Sequence, residues 1–308
     1  MKRLLLVLAA STLLSTSAFA ETIGVSMAKF DDNFLTVLRN AIKDYAGSKS
    51  GLDVQFEDAQ NDVGKQLNQI QNFVAQKVDA IIVNPVDTDA TPKMTQLAVA
   101  AGIPLVYVNR MPADKELPAK VAFVGSDERD SGTLEMKQVC KLMGGKGEIV
   151  VLMGELSNQA ARQRTQDVED VIKSPECAGI KILDKQSGNW DRTQGTDLVT
   201  NWLSAGLKPS AIVSNNDEMA IGAIQALKQA GVPKGSIIVA GVDATQDGLA
   251  AMKAGDLQVT VFQNAVGQGK GAVDTALTLA KGGKTESFVW VPFELVTPDN
   301  LSKYEAKN

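Results

Sequence analysis

Short apolar runs alternate with segments of helical periodicity along most of the chain. The runs at 81–83 (IIV) and 105–108 (LVYV) are uniformly apolar, which is typical of strands that are covered on both faces. The segments between such runs repeat apolar side chains every three or four residues, as amphipathic helices do. Regular alternation of this kind predicts an α/β fold with parallel sheets and right-handed crossovers.

The pattern predicts eleven strands and nine helices. The predicted strands are 23–27, 52–57, 80–83, 104–108, 121–124, 149–153, 180–184, 211–213, 237–242, 258–262 and 288–295. The predicted helices are 34–46, 63–76, 91–101, 131–143, 160–172, 193–205, 219–227, 246–254 and 266–280. Eleven strands are more than one sheet usually contains, and the pattern divides into two sets of strands near Gly125-Ser126. The segments 82–87 (IVNPVD) and 212–217 (IVSNND) resemble each other, which favours two similar doubly wound lobes with a cleft between them.

Polar side chains follow nearly every predicted strand. In open α/β sheets the carboxyl ends of the strands are the edge at which ligands bind. The polar residues at this edge are Lys29, Asp31, Asp32, Asn33, Asn84, Asn109, Arg110, Glu155, Arg162, Arg164, Asn189, Asp191, Asn215, Asn216, Asp243, Gln263 and Asn264, accompanied by Phe30, Phe34 and Trp190. A helix cap, a turn or a surface ion pair explains each one singly. Their recurrence at strand ends favours a binding site.

The residue types at this edge suit a neutral polyhydroxy ligand. Carboxylates accept hydrogen bonds, arginine donates through a planar fork, and amides do both. Aromatic rings such as Trp190 can cover the C–H face of a sugar-like ring. A phosphate or dinucleotide ligand would favour a glycine-rich turn, and the first turn, Gly24-Val25-Ser26-Met27-Ala28, is not one.

Charge and composition exclude several classes of function. The net charge is −5 with no block of Lys or Arg, which argues against nucleic acid or an anionic membrane as a partner. The 308 residues include no histidine, which removes Ser-His and Cys-His nucleophiles and the usual zinc and haem ligands. We therefore expect no cofactor and no metal.

The first twenty residues carry the features of a secretory signal peptide. Lys2-Arg3 is a positive start, residues 4–14 are apolar, and Ala18-Phe19-Ala20 is a cleavage site of the A-x-A type. The apolar stretch is shorter than the roughly 20 residues that a membrane span needs. The mature chain is expected to begin at Glu21 and to be exported. An oxidising compartment would permit a disulfide between Cys140 and Cys177, with two isolated buried thiols as the alternative.

Seven segments taken in order resemble the type I periplasmic sugar-binding proteins, the substrate-binding components of bacterial ABC importers for ribose and galactose. The segments are IIVNPVDTDA, GIPLVYVNR, FVGSDERDSG, GELSNQAARQR, VSNNDEMAIGAIQAL, IIVAGVDAT and VTVFQN, and the resemblance covers Glu21 to about Val296. It implies ligand contacts at Asp31, Asn33, Phe34, Asn84, Asn109, Arg110, Arg162, Trp190, Asn216, Asp243 and Gln263.

The first turn and the fourth strand end depart from the ribose-binding pattern. Ribose binders of the family tend to have two adjacent phenylalanines where this chain has Asn33-Phe34, and Asp-Arg where it has Asn109-Arg110. The segments KFDDNF and YVNR look more like members that bind myo-inositol or the amino-inositol rhizopines. Asp31 and Asp32 add acceptors, which suits a cyclitol with a hydroxyl on every carbon. An aldose and a rhizopine remain the alternatives.

The resemblance implies a mechanism of hinge closure, with chain crossings near 124–127, 262–264 and 288–291. The expected first lobe is 21–125 plus 264–289, and the second is 126–263 plus 290–308, after a signal peptide at 1–20. The implied setting is a periplasmic monomer that meets importer membrane subunits and, in some members, a chemoreceptor.

Two other classes of function are compatible with the predicted fold. A glycosidase-like enzyme could use Glu155 and Asp243 as its carboxylate pair. A sugar-responsive repressor would need an N-terminal helix-turn-helix, where this chain has the predicted signal peptide.

Overall fold

The computed structural model describes residues 21–307, so the predicted signal peptide at 1–20 lies outside the described residues. The strands are β1 Glu21–Met27, β2 Leu52–Asp58, β3 Ala80–Val83, β4 Leu105–Val108, β5 Val121–Gly125, β6 Lys146–Met153, β7 Gly179–Ser187, β8 Ala211–Ser214, β9 Ile238–Ala240, β10 Thr260–Phe262, β11 Phe288–Trp290 and β12 Glu294–Val296. The helices are α1 Asn33–Gly47, α2 Val63–Gln76, α3 Thr91–Ala101, α4 Glu128–Met143, α5 Gln159–Val171, α6 Arg192–Ser204, α7 Asp217–Gln229, α8 Gln246–Lys253 and α9 Ala265–Ala280. Short 3₁₀ turns occur at Thr88–Ala90 and Leu301–Lys303.

The first lobe is built on a six-stranded parallel sheet of order β11-β5-β4-β3-β1-β2. Alternate residues of its central strands face opposite sides. Ile82 and Val106 pack with α1 and α9, whereas Ile81 and Leu105 pack with α2 and α3. Because both faces are covered by helices, the strands are apolar throughout.

The second lobe repeats this plan on a four-stranded parallel sheet of order β7-β6-β8-β9. Val150 and Ile212 pack with α6 and α7, whereas Val151 and Val213 pack with α4 and α5. The doubly wound, two-lobed α/β fold predicted from the sequence is confirmed. Among residues 21–307, no helix is long and apolar enough to cross a membrane.

The chain passes between the lobes three times, after β5, after β10 and after β11. The last passage corrects the sequence reading, which gave one closing strand over 288–295. That segment forms two strands: β11 joins β5 in the first lobe, and β12 pairs antiparallel with β10 in the second. The segment is divided at Val291, Pro292 and Phe293 because its two ends belong to different sheets.

A disulfide joins Cys140 near the end of α4 to Cys177 ahead of β7. Both residues are buried in the core between α4, α5 and the second sheet. The bridge therefore lies at the amino end of β7, whereas the strand ends that face the first lobe are carboxyl ends.

Candidate ligand-binding cleft

The strand ends of the two lobes face each other across a cleft of about 380 Å³, a volume that includes the part open to solvent. The cleft is lined by Asp32, Phe34, Leu35, Asn109 and Arg110 of the first lobe, by Glu128, Ala160, Arg164, Trp190, Asn216 and Asp243 of the second, and by Gln263 at a chain crossing. Charged, amide and aromatic side chains thus converge on one small space.

Arg110 brings a fixed guanidinium into the cleft from the first lobe. Its Nη1 donates to the carbonyl of Pro85 at 2.9 Å, and the side chain is buried. Burial lowers the pKa of Arg110, while the nearby carboxylates of Asp32 and Glu155 act in the opposite direction. The remaining N–H groups of the fork are available to vicinal hydroxyls of a ligand.

Arg164 supplies the second guanidinium, held by a carboxylate of its own lobe. Its Nε and Nη2 donate to the two oxygens of Glu128 at 2.7 and 3.1 Å, and Nη1 donates to the carbonyl of Asn215 at 2.6 Å. Both members of this bidentate pair are buried. Such pairs fix the plane of the guanidinium. The orientation of the Arg164 guanidinium is therefore set by residues of its own lobe.

Asp243 is a buried carboxyl group close to this pair. Its Oδ1 lies 3.9 Å from Nη1 of Arg164. Burial raises the pKa of Asp243 well above its usual value, and Arg164 only partly opposes that shift. Hydrogen bonds donated by a ligand would favour the charged carboxylate, because they replace the water that burial has removed.

Trp190 and Phe34 form apolar walls of the cleft. The Trp190 indole donates from Nε1 to Oδ1 of Asn158 at 3.0 Å, which fixes the ring. Gly154 lies against this ring, and a Cβ there would come within 2.2 Å of Trp190 Cζ2, so the residue must be glycine. Aromatic faces held in this way suit the C–H face of a saturated ring.

Three lining residues have left-handed backbone. The φ angles are 68° at Asn109, 64° at Trp190 and 120° at Asp243. Non-glycine residues rarely adopt such angles, and they tend to cluster where function requires a particular side-chain direction. All three residues line the cleft between the lobes.

Seven of the eleven residues predicted to contact ligand line the cleft. They are Phe34, Asn109, Arg110, Trp190, Asn216, Asp243 and Gln263. Asn216 also caps α7 by accepting from the amide of Met219 at 3.0 Å, so this residue both caps a helix and lines the cleft.

The other four predicted residues lie outside the cleft. Asp31 is exposed, and Asn33 points to the rim, where Nδ2 donates to Glu218 Oε1 at 2.8 Å. Asn84 is fully buried behind Asn109 and donates to its Oδ1 at 3.2 Å. Arg162 lies at the outer edge and pairs with Asp89 of the first lobe at 3.0 Å.

Five residues that line the cleft were not among the eleven predicted ligand contacts. They are Asp32, Leu35, Glu128, Ala160 and Arg164. Asp32 and Arg164 belong to the polar residues that follow the predicted strands, and Asp32 also caps α1 by accepting from the amide of Leu35 at 2.9 Å. Glu155, the second carboxylate of the enzyme alternative, lies at the rim and accepts from Asn61 Nδ2 across the lobes.

Residues 23–285 match the family model described as a periplasmic binding protein domain. A candidate rhizopine-binding protein of Rhizobium meliloti is 60% identical, with 100% of both chains covered. The ribose import binding protein of Bacillus subtilis is 30% identical, covering 90% of this chain and 87% of the relative.

Similarity to solved structures extends over nearly the whole fold. An ABC transporter solute binding protein of Bacillus halodurans, crystallised with bound myo-inositol, superposes with a TM-score of 0.90 at 41% identity. The match covers 96% of this chain and 100% of that one. The sequence comparison and the fold comparison therefore both relate this chain to solute-binding proteins of importers.

Proposed function

The chain belongs to the periplasmic binding protein family, and from that premise we propose that it is the sugar-binding component of an ABC importer, with a cyclitol of the myo-inositol class as its ligand. It would work in the periplasm after removal of residues 1–20 and deliver its ligand to the membrane subunits of the importer. The three chain crossings would serve as the hinge, and binding would make or break no covalent bond.

The observation that carries this proposal is the cleft, where two fixed guanidinium groups and a buried carboxyl group surround a space with aromatic walls. Arg110 comes from one lobe, and Arg164 and Asp243 come from the other. A ring with a hydroxyl on every carbon can accept from both forks and donate to Asp243 at once. A ligand that contacts both lobes stabilises their closed arrangement.

An amine-bearing cyclitol is the second candidate, because the cleft holds the Asp32 carboxylate in addition to the Glu128 carboxylate that pairs with Arg164. Asp32→Asn keeps a good helix cap but removes a charge. We expect it to weaken binding of a protonated inosamine at least about tenfold and binding of myo-inositol less than about threefold, since a lost charge costs an ammonium more than a hydroxyl. Equal losses for both ligands would exclude the amine preference.

Thermal unfolding of the mature chain against a panel of ligands tests the proposal. The panel contains myo-inositol, an inosamine, ribose and galactose, with calorimetric titration of every compound that raises Tm. A ligand at about 100 times its Kd adds about 2.7 kcal/mol to the free energy of unfolding, which raises Tm by several degrees. Sucrose at equal concentration controls for general stabilisation by osmolytes.

The outcomes test the identity of the ligand separately from the role as an importer component. A shift with myo-inositol or the inosamine and none with the aldoses supports the cyclitol. A shift with ribose or galactose alone keeps the importer component and replaces the ligand. No shift with any of the four compounds would contradict the proposed ligand class.

A further inference from the structure

Asn158 occupies the N-cap position of α5 but does not cap that helix. Asparagine at this position normally accepts a hydrogen bond from an amide of the first turn, and no such bond is formed among the described residues. Its side chain instead reaches across the cleft, where Nδ2 donates to the carbonyl of Val86 in the first lobe at 2.9 Å. Asn158 is fully buried, so this contact lies inside the joint between the lobes.

Thr88 of the first lobe takes over part of the capping role. Its hydroxyl oxygen accepts from the amide of Gln159, the first residue of α5, at 3.1 Å, and its own hydroxyl donates to the carbonyl of Ser157 at 3.0 Å. Its amide also donates to the Ser157 carbonyl, at 3.1 Å. The first turn of α5 is thus capped from the opposite lobe.

The contact between Asn158 and Val86 is connected to a cleft-lining residue of each lobe. On the second lobe, Asn158 Oδ1 accepts from the indole of Trp190, which lines the cleft. On the first lobe, Arg110 donates to the carbonyls of Pro85 and Val86 at 2.9 and 3.5 Å. Two residues that face the ligand from opposite lobes therefore meet through Asn158 and Val86.

We propose that Asn158 is a positioning residue that couples occupation of the cleft to closure of the lobes by exchanging its bonding partners. In the open form its side chain would turn back and cap α5, which satisfies an otherwise unpaired amide. In the closed form Val86 and Trp190 hold the side chain, and Thr88 accepts instead from the first amide of the helix, that of Gln159. This inference rests on the proposed function, since it assumes that a ligand draws the lobes together.

The exchange predicts opposite effects of Asn158→Asp on binding and on stability. Aspartate caps helices as well as asparagine does and can still accept from Trp190, but it cannot donate to Val86. We expect myo-inositol affinity to fall at least about tenfold while the Tm of the ligand-free protein stays equal or rises. A purely structural role would lower both. Asn201→Asp, an exposed position of α6, is the matched control and should change neither.

Thr88→Val tests the cap from the opposite lobe without adding charge. Valine keeps the shape and removes the hydroxyl that serves Gln159 and Ser157. We expect affinity to fall about three- to tenfold, with slower amide exchange at Gln159 on ligand addition in the wild type but not in the variant. Thr200→Val, whose exposed hydroxyl serves only its own helix, is the matched control.

The experiments distinguish failure of the proposed ligand from failure of the partner exchange proposed for Asn158. If the wild type does not bind myo-inositol, the proposed ligand fails, and the exchange is then judged on ligand-free protein, where Asn158→Asp must raise Tm relative to Asn158→Leu, which cannot cap. If the wild type binds and Asn158→Asp binds equally well, the exchange is overturned. A parallel fall in affinity and in ligand-free Tm would also overturn it.

Discussion

At the scale of single residues, Arg110 and Arg162 are a matched pair, because the sequence gives both as ligand contacts and the structure puts only one in the cleft. Arg110→Lys keeps the charge and loses the planar fork, so we expect Kd to rise about 100-fold, equivalent to about 2.7 kcal/mol. Arg162→Lys alters an exposed pair with Asp89, and such pairs contribute at most about 1 kcal/mol, so Kd should rise less than about fivefold. Titration calorimetry with the ligand identified by the thermal panel measures both. Equal losses of affinity in the two variants would indicate that the ligand binds nearer the rim than the cleft residues suggest.

Asp167 links stability to pH at the residue scale. It is 4% exposed, Oδ1 accepts from Gln163 at 2.7 Å, and Oδ2 has no hydrogen-bond partner among residues 21–307. Burial raises the pKa of Asp167 from 3.8 to about 7, although Gln163 opposes that shift. Between these values the folded state keeps a proton that the unfolded state has lost. Stability therefore falls as pH rises from about 4 to 7, and the loss is complete above 7.

Asp167→Asn removes this titration. We expect the variant and the wild type to unfold alike near pH 4, and the variant to be more stable at pH 8 by at least about 1.4 kcal/mol, the equivalent of one pKa unit. Urea unfolding at pH 4, 5.5 and 8 measures the difference. Asp170→Asn is the control on the same helix, because a bond from Lys173 lowers the pKa of that exposed carboxylate, so no gain should appear. A constant difference across pH would contradict the assignment.

At the scale of elements, α5 shows which site residues can be predicted from helical periodicity in the sequence. The inward face of this helix includes Ala161, Arg164, Val168 and Val171, at spacings of three and four residues. Arg164 follows that spacing and Arg162 does not, so the helical period distinguishes the two arginines. The resemblance implies Arg162, whereas the inward face of the helix carries Arg164.

Strand ends were predictable for a different reason. Parallel strands bring their carboxyl ends to one edge, so Asn84 and Asn109 share an edge of the first sheet, and Asn216 and Asp243 share an edge of the second. The segment 288–295 was not predictable as two strands, because both halves have strand-like composition. Only the location of β5 and β10 in different lobes decides which half pairs with which sheet.

The disulfide between α4 and the segment ahead of β7 gives a prediction for this element pair. It closes a loop with a sequence separation of 37 residues. Restricting a loop of that length in the unfolded chain stabilises the fold by roughly 3–4 kcal/mol on the loop-entropy account. We expect the double change Cys140→Ala with Cys177→Ala to lower the free energy of unfolding by about 2–4 kcal/mol in denaturant titrations. Ligand affinity should stay within about twofold, because neither residue lines the cleft. A large loss of affinity would mean that this end of the second lobe shapes the site.

At the scale of the whole molecule, the residues that face the ligand are separate from those that join the lobes at the rim. Residues of the cleft face the ligand, whereas rim contacts such as Asn33 with Glu218 and Asn61 with Glu155 join the lobes directly. The rim contacts contribute to closure whichever ligand is bound. Apparent affinity is the intrinsic affinity multiplied by the population of the closed form, so a change in that population affects every ligand by the same factor.

The double change Asn33→Ala with Asn61→Ala tests this separation. Both bonds lie at exposed positions, where each contributes about 1 kcal/mol or less, so Kd should rise by up to about 30-fold. The ratio of Kd values for myo-inositol and a second, weaker ligand should nevertheless stay constant within about twofold. Asp32→Asn, a change inside the cleft, should move that ratio if the second ligand is an inosamine. A ratio that moves with the rim variant would show that closure geometry itself selects the ligand. A constant ratio would assign selectivity to the cleft and assign to the rim only the energy of closing.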